Sequence, residues 1–290
     1  MRVGSRPALS SARQILYAPT KLAICQRHQS TASPAATPAT EQLSPRWLSD
    51  VKKRLGHCLT WGLQPDQTQE AGQILKEISS DWRELVAGSE GFLTSKQRRS
   101  TFRQQVVWGE QDSMGHVNNV VYNRYAETGR VDYFRKFATY IDPAHAKEWN
   151  SILTPQGDGL LLRKITTEFK FPMRYPDHVT IYHKLSTEPV EGTDTFIMDA
   201  IILSELHQRP AARCIEDCVL YDYRTAKKRP LLPYMLPVLR RTWELQEEAK
   251  RVNSQRVLSL LERVRKLEKA SWDREGAVED MGSAGSWSFA

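Results

Sequence analysis

The chain has 290 residues, 40% of them hydrophobic, and a formal net charge of +7. That length allows one or two domains, the apolar share supports a packed core, and no run approaches the roughly 20 apolar residues of a membrane span. Five of the positive charges, Arg2, Arg6, Arg13, Lys21 and Arg27, lie in residues 1–40, which hold no acid, so the basic balance belongs to a leader and not to a nucleic-acid footprint.

That leader is rich in Ser, Ala and Arg, and Arg13, Ile15, Leu16, Tyr17, Lys21, Leu22 and Ile24 can form a basic amphipathic helix. This is the composition of a mitochondrial transit peptide, and its charge suits import along a membrane potential. The lack of a long apolar core argues against a secretory signal; a disordered basic tail is the alternative. Processing is expected between Gln26 and Ala36, with the Ser/Thr/Ala/Pro run through Thr40 as a linker.

Residues 41–95 read as a helical hairpin. A first helix over 44–61 has Ser44 as its cap, Pro45 in its first turn and an apolar stripe of Trp47, Leu48, Val51, Leu55, Cys58 and Leu59. Gly62 is its stop. Asp66 or Thr68 opens a second helix, whose stripe is Ala71, Ile74, Leu75, Ile78, Trp82, Leu85 and Val86. The pair is expected to pack on the following domain or on a partner. Gly88 to Ser95 is a turn-rich connector.

The chain is organised around Val106 to Arg130. Val106, Val107 and Trp108 end a strand, and Gly109 to Gly115 form a polar turn. A helix then runs to about Phe137, capped by Asn118 or Asn119. Tyr122, Ala126, Gly129, Tyr133 and Phe137 fall on one face at steps of three and four, widened by Val121 and Tyr125. Gly129 costs about 1 kcal/mol of helix propensity relative to Ala, which predicts close approach to a sheet. Asp112 in the turn and His116, Asn118 and Asn119 at the helix start put a carboxylate, an imidazole and two amides beside unsatisfied N–H groups. Such a place can polarise a carbonyl.

Asp112-Ser113-Met114-Gly115-His116-Val117-Asn118-Asn119, followed by Tyr122, Tyr125, Glu127 and Arg130, resembles the motif of hotdog-fold acyl thioesterases of the hydroxybenzoyl-CoA and acyl-carrier-protein branches. The looser resemblance runs from about Gln104 to Leu232. It implies an α+β hotdog fold over 96–235, an antiparallel sheet wrapped around the long helix. It implies hydrolysis of an acyl-CoA or acyl-carrier-protein thioester, a homodimer or homotetramer with sites between protomers, and no cofactor or metal. Asp112 takes the place of the base or nucleophile, and His116 and Asn118 those of residues that position water and substrate. Gly115, Val117, Asn119 and Tyr122 are the expected substrate-binding set, the first two through backbone N–H groups. Met114 stands where the plant carrier-protein branch has Asn, and Asn119 where another branch has His. Asp112 can equally be a turn residue, His116 a structural imidazole, Tyr122 a core residue, and Glu127–Arg130 an ordinary ion pair. A hotdog domain recruited as a non-catalytic subunit of a mitochondrial assembly is the alternative function.

Beyond the helix the period changes to two. Ile165, Thr167, Phe169 and Phe171 share one face. Pro172 and Arg174 to Asp177 make a corner, and Val179, Ile181, His183 and Leu185 form the next strand face. Phe196–Leu203 and Ala212–Tyr223 are two further strands, with a turn at Glu191–Thr193 and a break at His207–Pro210. Cys214 and Cys218 share a strand face without zinc-like spacing, and His178 and His183 read as strand residues. The C-terminal helix, 236–270, carries a narrow seam of Val257, Leu260, Leu261, Val264 and Leu267: a solvated helix or a docking contact. The tail, 271–290, reads as disordered.

Overall fold

The computed structural model describes residues 43, 44 and 46–277; the leader helix, the linker and most of the tail lie outside the described residues. The chain divides into two units, Met1–Leu43 and Ser44–Ala290, and every element below belongs to the second. In chain order these are α1 (Trp47–Thr60), α2 (Pro65–Arg83, continuing as a wider turn over Glu84–Gly88), β1 (Thr101–Gln105), α3 (Asn119–Lys136, running on through Ile141), α4 (Ala146–Ser151), β2 (Asp158–Phe169), β3 (His178–Leu185), β4 (Thr195–Ser204), β5 (Arg209–Asp222), β6 (Lys227–Lys228) and α5 (Met235–Ala270).

The strands form one antiparallel sheet in the order β1-β3-β4-β5-β2, with β6 pairing the end of β5. The sheet wraps α3, as a hotdog fold requires. Val121, Tyr122, Tyr125 and Ala126 of α3 pack with Val179, Ile181, Ala200, Ile202, Ala212 and Cys214 of the sheet's inner face. Further along, Tyr133, Phe134 and Phe137 meet Leu185, Met198, Cys218 and Leu220, with Trp149 from α4 closing the end. β2 lies at the edge, and its register with β5 runs from Asp158 opposite Asp222 to Phe169 opposite Ala212. The strand therefore begins seven residues before Ile165, because a bulge between Leu162 and Lys164 interrupts the alternation by which the first half would be read.

Gly129 sits where α3 presses on β3. A Cβ there would stand 2.7 Å from His183 Cε1 and 2.7 Å from Ile181 Cγ2. Gly129→Ala is therefore expected to lower stability by about 1–3 kcal/mol through overpacking, despite the roughly 1 kcal/mol gain in helix propensity. A chemical-denaturation midpoint above wild type would refute the close-approach account.

The other face of the sheet is covered by the chain's own helices. Thr180 and Tyr182, which point away from α3, are as buried as their neighbours. Gln246 of α5 bonds both backbone groups of Leu185, each at 3.0 Å. Arg83 at the end of α2 grips Glu205 in the β4–β5 turn, and Lys184 Nζ donates to the Glu90 carbonyl oxygen at 2.6 Å. The seam of α5 is a docking contact within the molecule. Val257, Leu260, Val264 and Leu267 are buried, and Arg54 of α1 meets Glu268 at 2.6 Å while Arg263 meets Glu70 of α2 at 2.6 Å. This corrects the reading of α5 as a solvated helix.

Two caps also differ. Ser44 does not cap α1, whose N-cap is Arg46 without a side-chain bond. Neither Asp66 nor Thr68 opens α2: Gln64 does, its N–H donating to Gln67 Oε1 at 3.0 Å, with Pro65 at the first helical position. Leu59 and Leu75, placed on the apolar stripes, are 47% and 40% exposed.

Hydrogen bonds from Arg54 hold the Glu268 carboxyl below the usual carboxylate range, against burial. A depressed carboxyl contributes stability above its unfolded pKa and loses it as pH falls through its folded one. The Tm gap between wild type and Glu268→Gln is thus expected at pH 7 and to close as pH falls below about 4; a gap that widens with acid would contradict it.

Candidate active site

The strand predicted through Trp108 stops earlier. β1 ends at Gln105, Val106 is buried, and Trp108–Glu110 form a 3-10 turn that leaves Trp108 72% exposed. Glu110 staples this turn to α3: its carboxylate accepts the Tyr125 hydroxyl at 2.6 Å and the Val107 N–H at 2.9 Å, while its carbonyl accepts the Asn118 N–H at 2.8 Å. Nothing in the sequence pattern singled out Glu110, since its role depends on Tyr125 standing fifteen residues away.

Within the turn, Asp112 is half-buried. Its N–H donates to the His116 carbonyl at 2.8 Å, and its Oδ1 accepts the Met114 N–H at 2.8 Å. Oδ2 accepts no hydrogen bond among the described residues. Gly115, at φ 71°, reverses the chain, a conformation that glycine adopts without a Cβ penalty. Asn118 caps α3, its Oδ1 accepting the Val120 N–H at 3.0 Å. Arg174 Nη2 donates to His116 Nε2 at 2.9 Å, with that ring nitrogen as the acceptor.

The other expected binding residues divide. The Gly115 N–H donates to the Asp112 carbonyl at 3.0 Å and the Val117 N–H to the Met173 carbonyl at 2.9 Å, so both are engaged within the fold. The His116 N–H between them has no acceptor among the described residues and is the donor left for a ligand. Asn119 is exposed on the first turn of α3. Tyr122 is 2% exposed, its hydroxyl accepting the Met173 N–H at 3.3 Å; it builds the floor beneath the turn.

A second polar cluster lies deeper. Glu127 and Arg130 are not partners: Glu127 is exposed, and Arg130 reaches through the core to Glu216 on β5 at 2.6 Å. His183 Nε2 stands 3.4 Å from the other Glu216 oxygen, and its Nδ1 shares a 2.9 Å hydrogen bond with Ser100 Oγ. His183 is thus more than a strand residue. The set has the residue types of a nucleophile–base–acid relay, yet Ser100, His183, Glu216 and Arg130 are all buried. It is an internal Arg130–Glu216 ion pair beside a separate Ser100–His183 hydrogen bond; neither His183 Nε2 nor Glu216 Oε2 has a hydrogen-bond partner among the described residues. Burial pushes the neighbouring Cys214 thiol up to about 11 and Cys218 up to about 12, which leaves both inert as nucleophiles.

Elsewhere the surface offers less. The groove between α2 and α5 is lined by Glu77 and by Arg251, Arg256 and Arg263, whose guanidiniums already meet Glu248, Asp81 and Glu70. Among the described residues, no three His, Cys, Asp or Glu side chains are grouped to hold a metal, and no helix is long and apolar enough to cross a membrane.

Residues 106–242 match the family model of the thioesterase-like superfamily. Among solved structures the chain is similar to a DHNA-CoA thioesterase from Staphylococcus aureus, at 16% identity and a TM-score of 0.42 over 52% of this chain and 94% of that one. It is similar to a thioesterase from Thermus thermophilus at 20% identity and a TM-score of 0.40, over 53% and 96%. A 1,4-dihydroxy-2-naphthoyl-CoA thioesterase from Synechocystis gives 16% and 0.39, over 49% and 95%. No curated protein matches by sequence. The segment 106–242, with Asp112 in its first turn and α3 inside its sheet, is a hotdog domain that matches the thioesterase-like superfamily.

Proposed function

We propose that this domain hydrolyses acyl thioesters with Asp112 as the general base. The observation that carries the reading is the uncommitted Asp112 Oδ2 in the same turn as the free His116 N–H, three residues before α3. The carboxylate takes a proton from water as the water oxygen bonds to the thioester carbonyl carbon. The oxyanion so formed accepts the His116 N–H and is further stabilised by the helix terminus. The carbon–sulfur bond then breaks, and Asp112 returns its proton to the departing thiolate, giving a carboxylic acid and a free thiol. Asn118 fixes the helix start, His116 and Asn119 are assigned to positioning the reacting group, and Tyr122 supports the turn from below. Assay of the purified chain on acyl-CoAs and acyl-carrier-protein thioesters tests the reading, which fails if no thioester is turned over.

A homodimer, or a dimer of dimers, accompanies this function. β2 is one of the sheet's two edge strands, twelve residues long, and an uncovered edge of that length invites pairing with a second copy. Light scattering at micromolar concentration is expected to give a dimer or tetramer; a monomer would count against a shared site. The mitochondrial matrix is the proposed location, supported by the acid-free basic leader. N-terminal sequencing of the native protein is expected to begin between residues 26 and 36, and an intact Met1 would refute import with cleavage.

The second reading, a non-catalytic hotdog subunit, is favoured by one observation: Met114 stands 76% exposed in the position where the carrier-protein branch has Asn. Absence of all thioester turnover, with capture of a defined mitochondrial complex, would select it.

A further inference from the structure

The corner after β2 and the turn before α3 bring two exposed aromatic rings and one guanidinium to the rim of the Asp112 site. Trp108 is 72% exposed and Tyr175 40%, and their rings meet edge to face with centroids 6.0 Å apart. The Tyr175 N–H is held by Gln111 Oε1 at 3.1 Å, which ties the corner to the residue next to Asp112. Between the rings in sequence, and next to Tyr175 in the chain, is Arg174. It is exposed; among the described residues its only side-chain partner is the His116 ring at 2.9 Å, and no carboxylate there forms an ion pair with it. Most arginines packed around α2 and α5 are paired with acids; this one presents its charge outward.

Exposed Trp and Tyr faces give up water readily to a planar base, and an unpaired guanidinium offers a fork of donors matched to phosphate. Together they fit a ligand that carries an aromatic base and a phosphate on one end and a reactive group on the other. We infer that Trp108, Tyr175 and Arg174 bind the adenine-nucleotide end of a coenzyme A thioester, which makes CoA and not a carrier protein the leaving thiol. This inference rests on the thioesterase reading of Asp112. A carrier protein would bring a phosphodiester to Arg174 but no base to the aromatic pair.

The test compares a medium-chain acyl-CoA with the matched S-acyl-pantetheine, which keeps the thioester and lacks the nucleotide. Arg174→Ala and Trp108→Ala are each expected to raise KM for the acyl-CoA by about tenfold or more, from the loss of a charge-assisted contact or a stacked base. For Trp108→Ala, KM for S-acyl-pantetheine should stay within about twofold and kcat on both substrates should be held; Arg174→Ala, which also removes the partner of the His116 ring, is read by its loss of CoA binding. Calorimetry with free CoA should show the same loss for Arg174→Ala, and dephospho-CoA separates the terminal phosphate from the diphosphate as the group Arg174 holds. Equal KM changes on both substrates would overturn the inference, because the patch would then touch the acyl or pantetheine portion or a second protomer; so would an unchanged KM for acyl-CoA. If no thioester is turned over but CoA binds the wild type and not Arg174→Ala, the nucleotide site stands and the hydrolase reading fails. If CoA does not bind at all, both fall.

Discussion

Asp112→Asn is expected to lower kcat on any acyl thioester the protein hydrolyses by about 10²–10⁴-fold, the usual worth of a positioned general base, while the Tm stays close to wild type. The two halves of this expectation have separate structural grounds. Asp112 Oδ1 accepts the Met114 N–H at 2.8 Å, and an Asn carbonyl can accept the same bond, so the turn survives. Oδ2 is the oxygen left for the water proton, and an amide nitrogen in its place cannot take it. His116→Ala should cost less turnover, because the His116 N–H that faces the oxyanion belongs to the backbone and remains. Turnover of Asp112→Asn within a few-fold of wild type would reduce Asp112 to a turn residue and move the chemistry elsewhere. Rapid hydrolysis in heavy-oxygen water separates general base from nucleophile. Only an Asp112 anhydride intermediate would put the label on the Asp112 carboxyl, or carry an unlabelled Asp112 oxygen into the first product formed.

The largest stability effect is expected inside the sheet. Removing one partner of the Arg130–Glu216 pair, as in Glu216→Gln or Arg130→Met, leaves a buried group without its counter-charge and should cost about 3–5 kcal/mol. Their contact is 2.6 Å, and both side chains are nearly inaccessible. The double change Arg130→Met with Glu216→Leu removes both charges and should recover a large part of the loss. Denaturant midpoints with unchanged slopes measure both. A single change costing under about 1 kcal/mol, in the range of exposed pairs, would mean that water reaches the pair. Ser100→Ala supplies the functional control. Its hydroxyl touches only His183 in this cluster, so kcat should be kept. Loss of turnover with the fold intact would make Ser100 the nucleophile and displace Asp112.

The elements that could be read from the chain are those whose determinants are close in sequence. The apolar faces of α1, α2 and α3 repeat every three to four residues, and Asn118 caps α3 through a bond two residues away. The turn at Gly115, and with it the place of Asp112 before a helix terminus, follows from residues within a dozen positions. Strands β3, β4 and β5 were legible for the same reason, since alternation is a local pattern, and β2 was misread only where its bulge breaks that pattern.

What the tertiary structure decided is which polar groups remain free. The backbone N–H groups from Gly115 to Val117 all looked like donors for a ligand, but Gly115 is engaged by Asp112 and Val117 by Met173 from a distant corner, which leaves His116 as the free one. Arg130 stood three residues from Glu127, at the spacing of a surface ion pair, yet it turns inward to Glu216, eighty-six residues on, because Gly129 lets α3 sit hard against β3. The seam of α5 named a contact but not its partner, which is the chain's own hairpin and sheet. Local sequence sets backbone geometry through short-range bonds and periodicity; the partner of a charge, an orphan N–H or an apolar stripe is set by what folding brings within a few ångströms, and that is a property of the whole chain path.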